Sequence, residues 1–267
     1  MQNLYFKTSL YLYLTVFYLC GWFFLFYFYY KMRLYFFAIA TILLLFSTGC
    51  TEKDLVSVTP KTMVQWATEL VQNTPPAQNI YTANTSVVAW KDLAGAGEYT
   101  CNADHSGLLT ALLKVTYNYN SFDLQTWLGS ALPSGTDYFQ AIEHKDRFKR
   151  FFYIKDIQPN TVIAIHNADS VAVFNHIMIV TLVPEEITPI APIVGNTRQW
   201  SIRVVDSSLL PHSNDTRCDT CSGLGAGYAR LYTDINGVVV GYSWSLSPNS
   251  TVYSGSQHHL AIGDFVQ

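Results

Sequence analysis

From residue 153 onward the apolar residues leave helical spacing and fall into short β-branched runs, and that change limits the fold more than any other feature. "TVIAIH" (161–166), "HIMIVTLV" (176–183) and "WSIRVVDS" (200–207) are each bounded by turn residues, as strands are. "YARLYTD" and "VVVGYSW" flank Ile235-Asn236-Gly237, and Asn-Gly between two such runs is a hairpin signal. "HHLAIGDF" supplies a last strand. Helical spacing is confined to the earlier part. Met63, Ala67, Leu70 and Val71 predict a helix over 60–72, with Thr59 as its cap and Pro60 at its first position. Leu108, Leu109, Leu112 and Leu113 form one apolar stripe of a buried helix, and Asp104 is a fitting cap. "SFDLQTWL" and "GTDYFQAIEHKDRFKRF" predict short helices around a loop. Helices first and an antiparallel sheet second make an α+β domain, with the helices packed on a sheet or half-barrel.

The N-terminal part is of another kind. Residues 8–30 hold no charge and are long enough to cross a bilayer. Residues 34–49 form a second uncharged run, preceded by "KMR" and ending on Cys50. A basic flank, an apolar core and small residues read as a secretory signal over 32–49. "FSTGC" resembles the lipobox of bacterial lipoproteins, with Ser47 where Leu is usual, and implies lipidation of Cys50. The alternative is a plain transmembrane anchor. Residues 1–31 are then a transmembrane segment, or upstream sequence if translation starts at Met32. Residues 50–59 make a polar tether, and 60–267 a single domain. The net charge of −3 and the lack of a basic block give no nucleic-acid footprint.

Three segments carry candidate chemistry. Thiol hydrolysis needs a thiolate, a base to take its proton and a polar group to orient the base. Cys101 lies just before the Leu-rich helix, whose N-terminal end would favour a thiolate. His176 opens one apolar strand and Asp206 closes the next. If those strands are antiparallel neighbours, imidazole and carboxylate meet at one end of the sheet. If the helix starts a turn early, Cys101 and His105 share a face; if it starts at 104, Cys101 points elsewhere.

Cys218 and Cys221 read as a small loop disulfide, and a zinc site with His212 lacks ligands. "GLGAG" (223–227) lets a strand bend or approach closely. "PHSNDTR" (211–217) reads as a solvated loop, although its His212, Asp215 and Arg217 could line a cleft. His258 and His259 read as surface residues.

The order "DHSGLLTALL", "IQPNTVIAI", "HIMIV" and "VVDSS" resembles the NlpC-type, papain-like cell-wall peptidases over residues 60–207. That resemblance implies a papain-like α+β fold, His176 as base and Asp206 as its orienting partner. The family's nucleophilic Cys falls at His105, directly before Ser106-Gly107. A second departure is Asn160-Thr161, where the family usually has Gly-Asp after the proline. The implied protein is a lipid-anchored bacterial envelope hydrolase acting on peptidoglycan peptides or a related amide, without a cofactor. The alternative is a catalytically inactive relative that binds wall peptide or a partner protein through the same cleft.

Overall fold

The computed structural model describes residues 60–83, 86–167, 174–255 and 259–266. The expected signal, the tether, Thr59, Cys50 and His258 lie outside the described residues.

Among the described residues the domain from residue 60 is mixed α+β, with few helices and one large antiparallel sheet. Helix α1 spans Met63–Asn73 and α2 spans His105–Tyr117. Two shorter helices follow, α3 at Ser121–Leu128 and α4 at Gly135–Glu143. A small sheet joins β1 (Asn79–Ile80), β2 (Val87–Ala89) and β3 (Thr100–Asn102) in the order β1-β3-β2. The large sheet is built from β4 (Phe148–Phe151), β5 (Val162–Asn167), β6 (Phe174–Val180), β7 (Glu185–Ile187), β8 (Arg198–Ser208), β9 (Gly223–Thr233), β10 (Val239–Ser243), β11 (Val252–Ser254) and β12 (His259–Phe265). Its order is β11-β10-β9-β8-β6-β5-β12-β4, with β7 paired to β8.

Both faces of this sheet are buried, which is why its central strands read as continuous apolar runs. Ile177, Ile179, Val162, Ala164 and Val205 face the helices and pack with the Leu108, Leu109, Leu112 and Leu113 stripe. Met178, Val180, Ile163, Ile165, Val204 and Leu231 form a second cluster on the opposite face. The sheet curls around that cluster. Val239 N–H donates to the Phe152 carbonyl at 2.9 Å and Ile154 N–H to the Gly237 carbonyl at 2.9 Å, joining the end of β4 to the β9–β10 hairpin. The Asn-Gly signal thus marks the turn that is tied to the chain just after β4.

Two boundaries differ from expectation. The cap of α1 is Thr62, not Thr59, because Gln65 lies three residues on and completes a reciprocal pair of cap hydrogen bonds. "FKRF" is a strand, not helix. After α4 the backbone turns through positive φ at Lys145 and Arg147, and residues 148–151 pair with β12. Phe148 and Phe151 then enter opposite clusters.

Candidate functional site

Helix α2 begins at His105 because Asp104 caps it. One Asp104 carboxylate oxygen accepts from Gly107 N–H at 2.7 Å and from Ser106 Oγ at 2.9 Å. Helix capping in this form satisfies N–H groups that have no partner within the helix. It also fixes His105 as the first helical residue, buried and turned toward β6.

On the sheet, β6 and β8 run antiparallel with Ile179 opposite Val205. That register brings His176 and Asp206 together, as their strand positions suggest. His176 Nε2 lies 2.6 Å from Asp206 Oδ2, and both side chains are buried. The carboxylate only accepts, so His176 donates from Nε2 and its Nδ1 keeps the lone pair when the ring is neutral. The His105 ring stands against it edge to face, with centroids 4.9 Å apart. Burial and the neighbouring His176 push His105 down to about 3, against an opposing pull from Asp206. His176 is also lowered, first by burial, although Asp206 favours its protonated form. The centre therefore holds two neutral imidazoles near neutral pH.

Cys101 is elsewhere. It sits in β3, fully buried among the residues that pack under α1 and α2, with Val88 opposite it. Burial pushes its thiol up to about 12. The helix starts too late to bring Cys101 and His105 onto one face, and desolvation keeps the thiol protonated. The structure therefore corrects the placement of Cys101 as nucleophile. Cys218 and Cys221 are joined in a disulfide. Among the described residues no thiol lines the cleft.

The loop 211–217 is the largest correction. Rather than being solvated, it folds under the site and completes a cluster around Asp206. His212 Nε2 approaches Asp206 Oδ2 at 2.9 Å, and Arg217 Nη2 donates to Asp206 Oδ1 at 2.9 Å. Arg217 also binds Asp215, through Nη2 at 2.7 Å and Nε at 2.9 Å. His212 Nδ1 lies 2.7 Å from the Trp244 carbonyl. Both His212 nitrogens thus face groups that only accept, so both must donate and the ring is an imidazolium. Its pKa is raised accordingly: Asp206 and the Trp244 carbonyl outweigh burial. Asp206 is held well below the usual carboxylate range, because His212 and His176 outweigh its own burial. Trp244 closes the cluster, stacked on His212 at 4.4 Å and edge-on to His176 at 4.8 Å.

The signal for this loop lay in the glycines of β9. Gly225 pairs with Asp206 and Gly227 with Val204. A Cβ on Gly227 would stand 2.8 Å from Asp215 Oδ2, and one on Gly225 would collide with Arg217 Nε. The bare backbone is what lets the loop lie flat on the strand. Gly225→Ala is expected to cost about 1–3 kcal/mol by overpacking, read as a lower urea midpoint; an unchanged midpoint would mean that Arg217 moves aside freely.

A cleft of about 970 Å³ opens over His105 and His176. Tyr81, Tyr242, Trp244 and Tyr253 supply aromatic walls, and the exposed Leu209 and Leu210 lie at its border. Among the described residues no lysine or arginine lines it. A concave, mostly apolar groove with a few convergent polar groups is how ligand sites are usually built. The distant His259 is exposed.

Comparison with known proteins adds one relative. No family model and no solved structure matches the chain. A protein of Acanthamoeba polyphaga mimivirus, described as "Uncharacterized protein R653", is 33% identical over 177 residues, which cover 62% of this chain and 78% of the relative. The chain belongs to the family of that mimivirus protein.

Proposed function

We propose that this domain is a peptide-binding member of the papain-like class, in which the place of the nucleophile is taken by an imidazole. The observation that supports it is the position of His105: first residue of the buried helix, 4.9 Å ring to ring from a histidine that Asp206 holds through Nε2. A thiol hydrolase needs its sulfur at that point, beside a base oriented by a third group. Here a histidine and a carboxylate are paired as a base and its orienting group would be, while the one free thiol of the described residues is in the core. Binding without thiolate chemistry is therefore favoured over cysteine-peptidase activity. The cleft, with its aromatic walls and small polar groups, suits an extended peptide or related amide. Peptidoglycan as the source of that peptide, a lipid on Cys50 and a bacterial envelope location rest on the sequence resemblance alone, and the relative named above is viral.

The test restores the missing atom. His105→Cys is expected to give a thiol beside His176 that is alkylated by iodoacetamide at pH 6 at least about tenfold faster than a free cysteine of pKa ~8.5. The acceleration should vanish in the double variant with His176→Ala. An introduced thiol that reacts like free cysteine at every pH would overturn the papain-like reading.

A further inference from the structure

The chain between Arg217 and Leu224 is anchored at both ends and open in the middle. Up to Arg217 it is bound on several sides. Thr216 N–H donates to the Ala226 carbonyl at 2.9 Å and Arg217 N–H to Asp215 Oδ1 at 2.8 Å. The Arg217 guanidinium reaches Asp206, Asp215 and the Gly223 carbonyl. At the other end Asn79, in β1, clamps Leu224. Its Oδ1 accepts from Leu224 N–H at 2.7 Å, and its Nδ2 donates to the Leu224 carbonyl at 2.9 Å. Residues 218–221 between these anchors are exposed. Among the described residues their hydrogen bonds are internal. Cys221 N–H donates to the Cys218 carbonyl at 2.9 Å, and Cys218 Sγ lies 3.7 Å from Thr220 Oγ1. The Cys218–Cys221 disulfide is the covalent clasp on this link.

We propose that this disulfide is a site of reversible reduction by small thiols, and that its state sets how firmly loop 211–217 holds the cleft. Exposed disulfides are the labile ones. A thiolate attacks one of the two sulfurs, forms a mixed disulfide and releases the other sulfur as thiolate. A second thiol then attacks the mixed bond, so two thiols leave as one disulfide and the protein gains two thiols. Opening the clasp returns conformational freedom to the link between Arg217 and Gly223. The Arg217 bond to the Gly223 carbonyl closes the same link and loses its covalent support. Arg217 is one of three donors on Asp206. The rest of the loop reaches the cleft wall. Leu246 N–H donates to Ser213 Oγ at 2.9 Å, Trp244 Nε1 donates to the Pro211 carbonyl at 3.1 Å, and His212 Nδ1 donates to the Trp244 carbonyl at 2.7 Å. A looser loop thus loosens Trp244, which walls the cleft. The inference rests on the peptide-binding reading only in naming what is regulated.

The experiment treats the full chain, in detergent and without denaturant, with dithiothreitol, and follows amide hydrogen exchange by mass spectrometry. After treatment Cys218 and Cys221 should take up iodoacetamide while Cys101 stays unlabelled. Exchange over residues 211–217 and 244–246 should become about tenfold faster, the order expected for loss of so short a crosslink. Exchange in α2 should stay as it was, which separates a local opening from unfolding. The double variant Cys218→Ser, Cys221→Ser should show the faster exchange from the start and no response to dithiothreitol; the unaltered chain gives the answer without it. A disulfide that resists the dithiol in the folded protein overturns the inference. So does a reduced protein in which 211–217 and 244–246 exchange as before, or one in which α2 is accelerated equally. No ligand is added, so such a failure leaves the peptide reading standing, and that reading fails separately in the His105→Cys experiment.

Discussion

Asp206→Leu is expected to destabilise the domain by about 3–5 kcal/mol, because removing one partner strands buried charges. Asp206 is wholly buried and receives three donors: His176, His212 and Arg217. Its removal leaves His212, whose two nitrogens must both donate, facing one acceptor where there were two. Arg217 keeps Asp215, the Gly223 carbonyl and Ser208, so part of its solvation is retained. Urea unfolding followed by the aromatic signal measures the loss. The combined variant Asp206→Leu, His212→Phe should recover part of it, since a stranded imidazolium is then replaced by a ring that needs no partner. A combined loss equal to the sum of the two single losses would mean that the three groups act independently. Trp244 should report the same event, because it stacks on His212 and accepts from it through its carbonyl.

Acid is expected to unfold this domain from an unusual direction. His105 is lowered to about 3 and His176 is lowered as well. Below the ordinary histidine value of 6.5 the unfolded chain binds protons at these positions and the folded one does not. Stability is therefore complete above 6.5 and falls as the pH drops from there toward the folded values. Each such group adds a slope of about 1.4 kcal/mol per pH unit within its window. Asp206 acts later in the same direction: its lowered pKa gives stability above 3.8 that is lost as pH falls through its folded value. His212 has the opposite sign. Its raised pKa gives stability that is full below 6.5 and is lost as the pH rises through the folded value. The optimum thus lies just above 6.5, with a decline on either side. In His105→Phe the slope between pH 6 and 4 should be smaller by about 1.4 kcal/mol per unit. An unchanged slope would show that His105 takes up its proton in the folded state.

The legible parts of the fold were those governed by local rules. The Leu108–Leu113 stripe with Asp104 before it, the Asn236-Gly237 turn and the β-branched runs each follow from short-range chemistry, and each is found where the pattern places it. The meeting of His176 with Asp206 was legible too, because antiparallel register is a consequence of adjacent strands. "FKRF" was not, since its neighbours continue a helical pattern and only pairing with β12, more than a hundred residues away, makes it a strand. The burial of the polar loop 211–217 is hidden for the opposite reason. Its composition is that of a solvated turn, and its burial depends on charge pairing with Asp206 and on the bare backbone of β9. Arg230 shows the same limit. It reads as an ordinary strand residue, yet it is fully buried and donates to the carbonyls of Ile190, Ala191 and Ser247, from two separate places in the chain. Cys101 is the instructive case at the site: four residues from His105 in sequence, it is separated from the cleft because β3 ends before the helix begins.

The central claim is that the cleft works without a thiolate, and Cys101 decides it. The full chain is treated with iodoacetamide under native conditions across pH 6 to 9, and the peptide containing Cys101 is followed by mass spectrometry. A thiol buried in the core and pushed up to about 12 should stay unlabelled until urea unfolds the domain. Rapid labelling of Cys101 in the folded protein, abolished by His176→Ala, would place a working thiol–imidazole pair in the cleft and contradict the account.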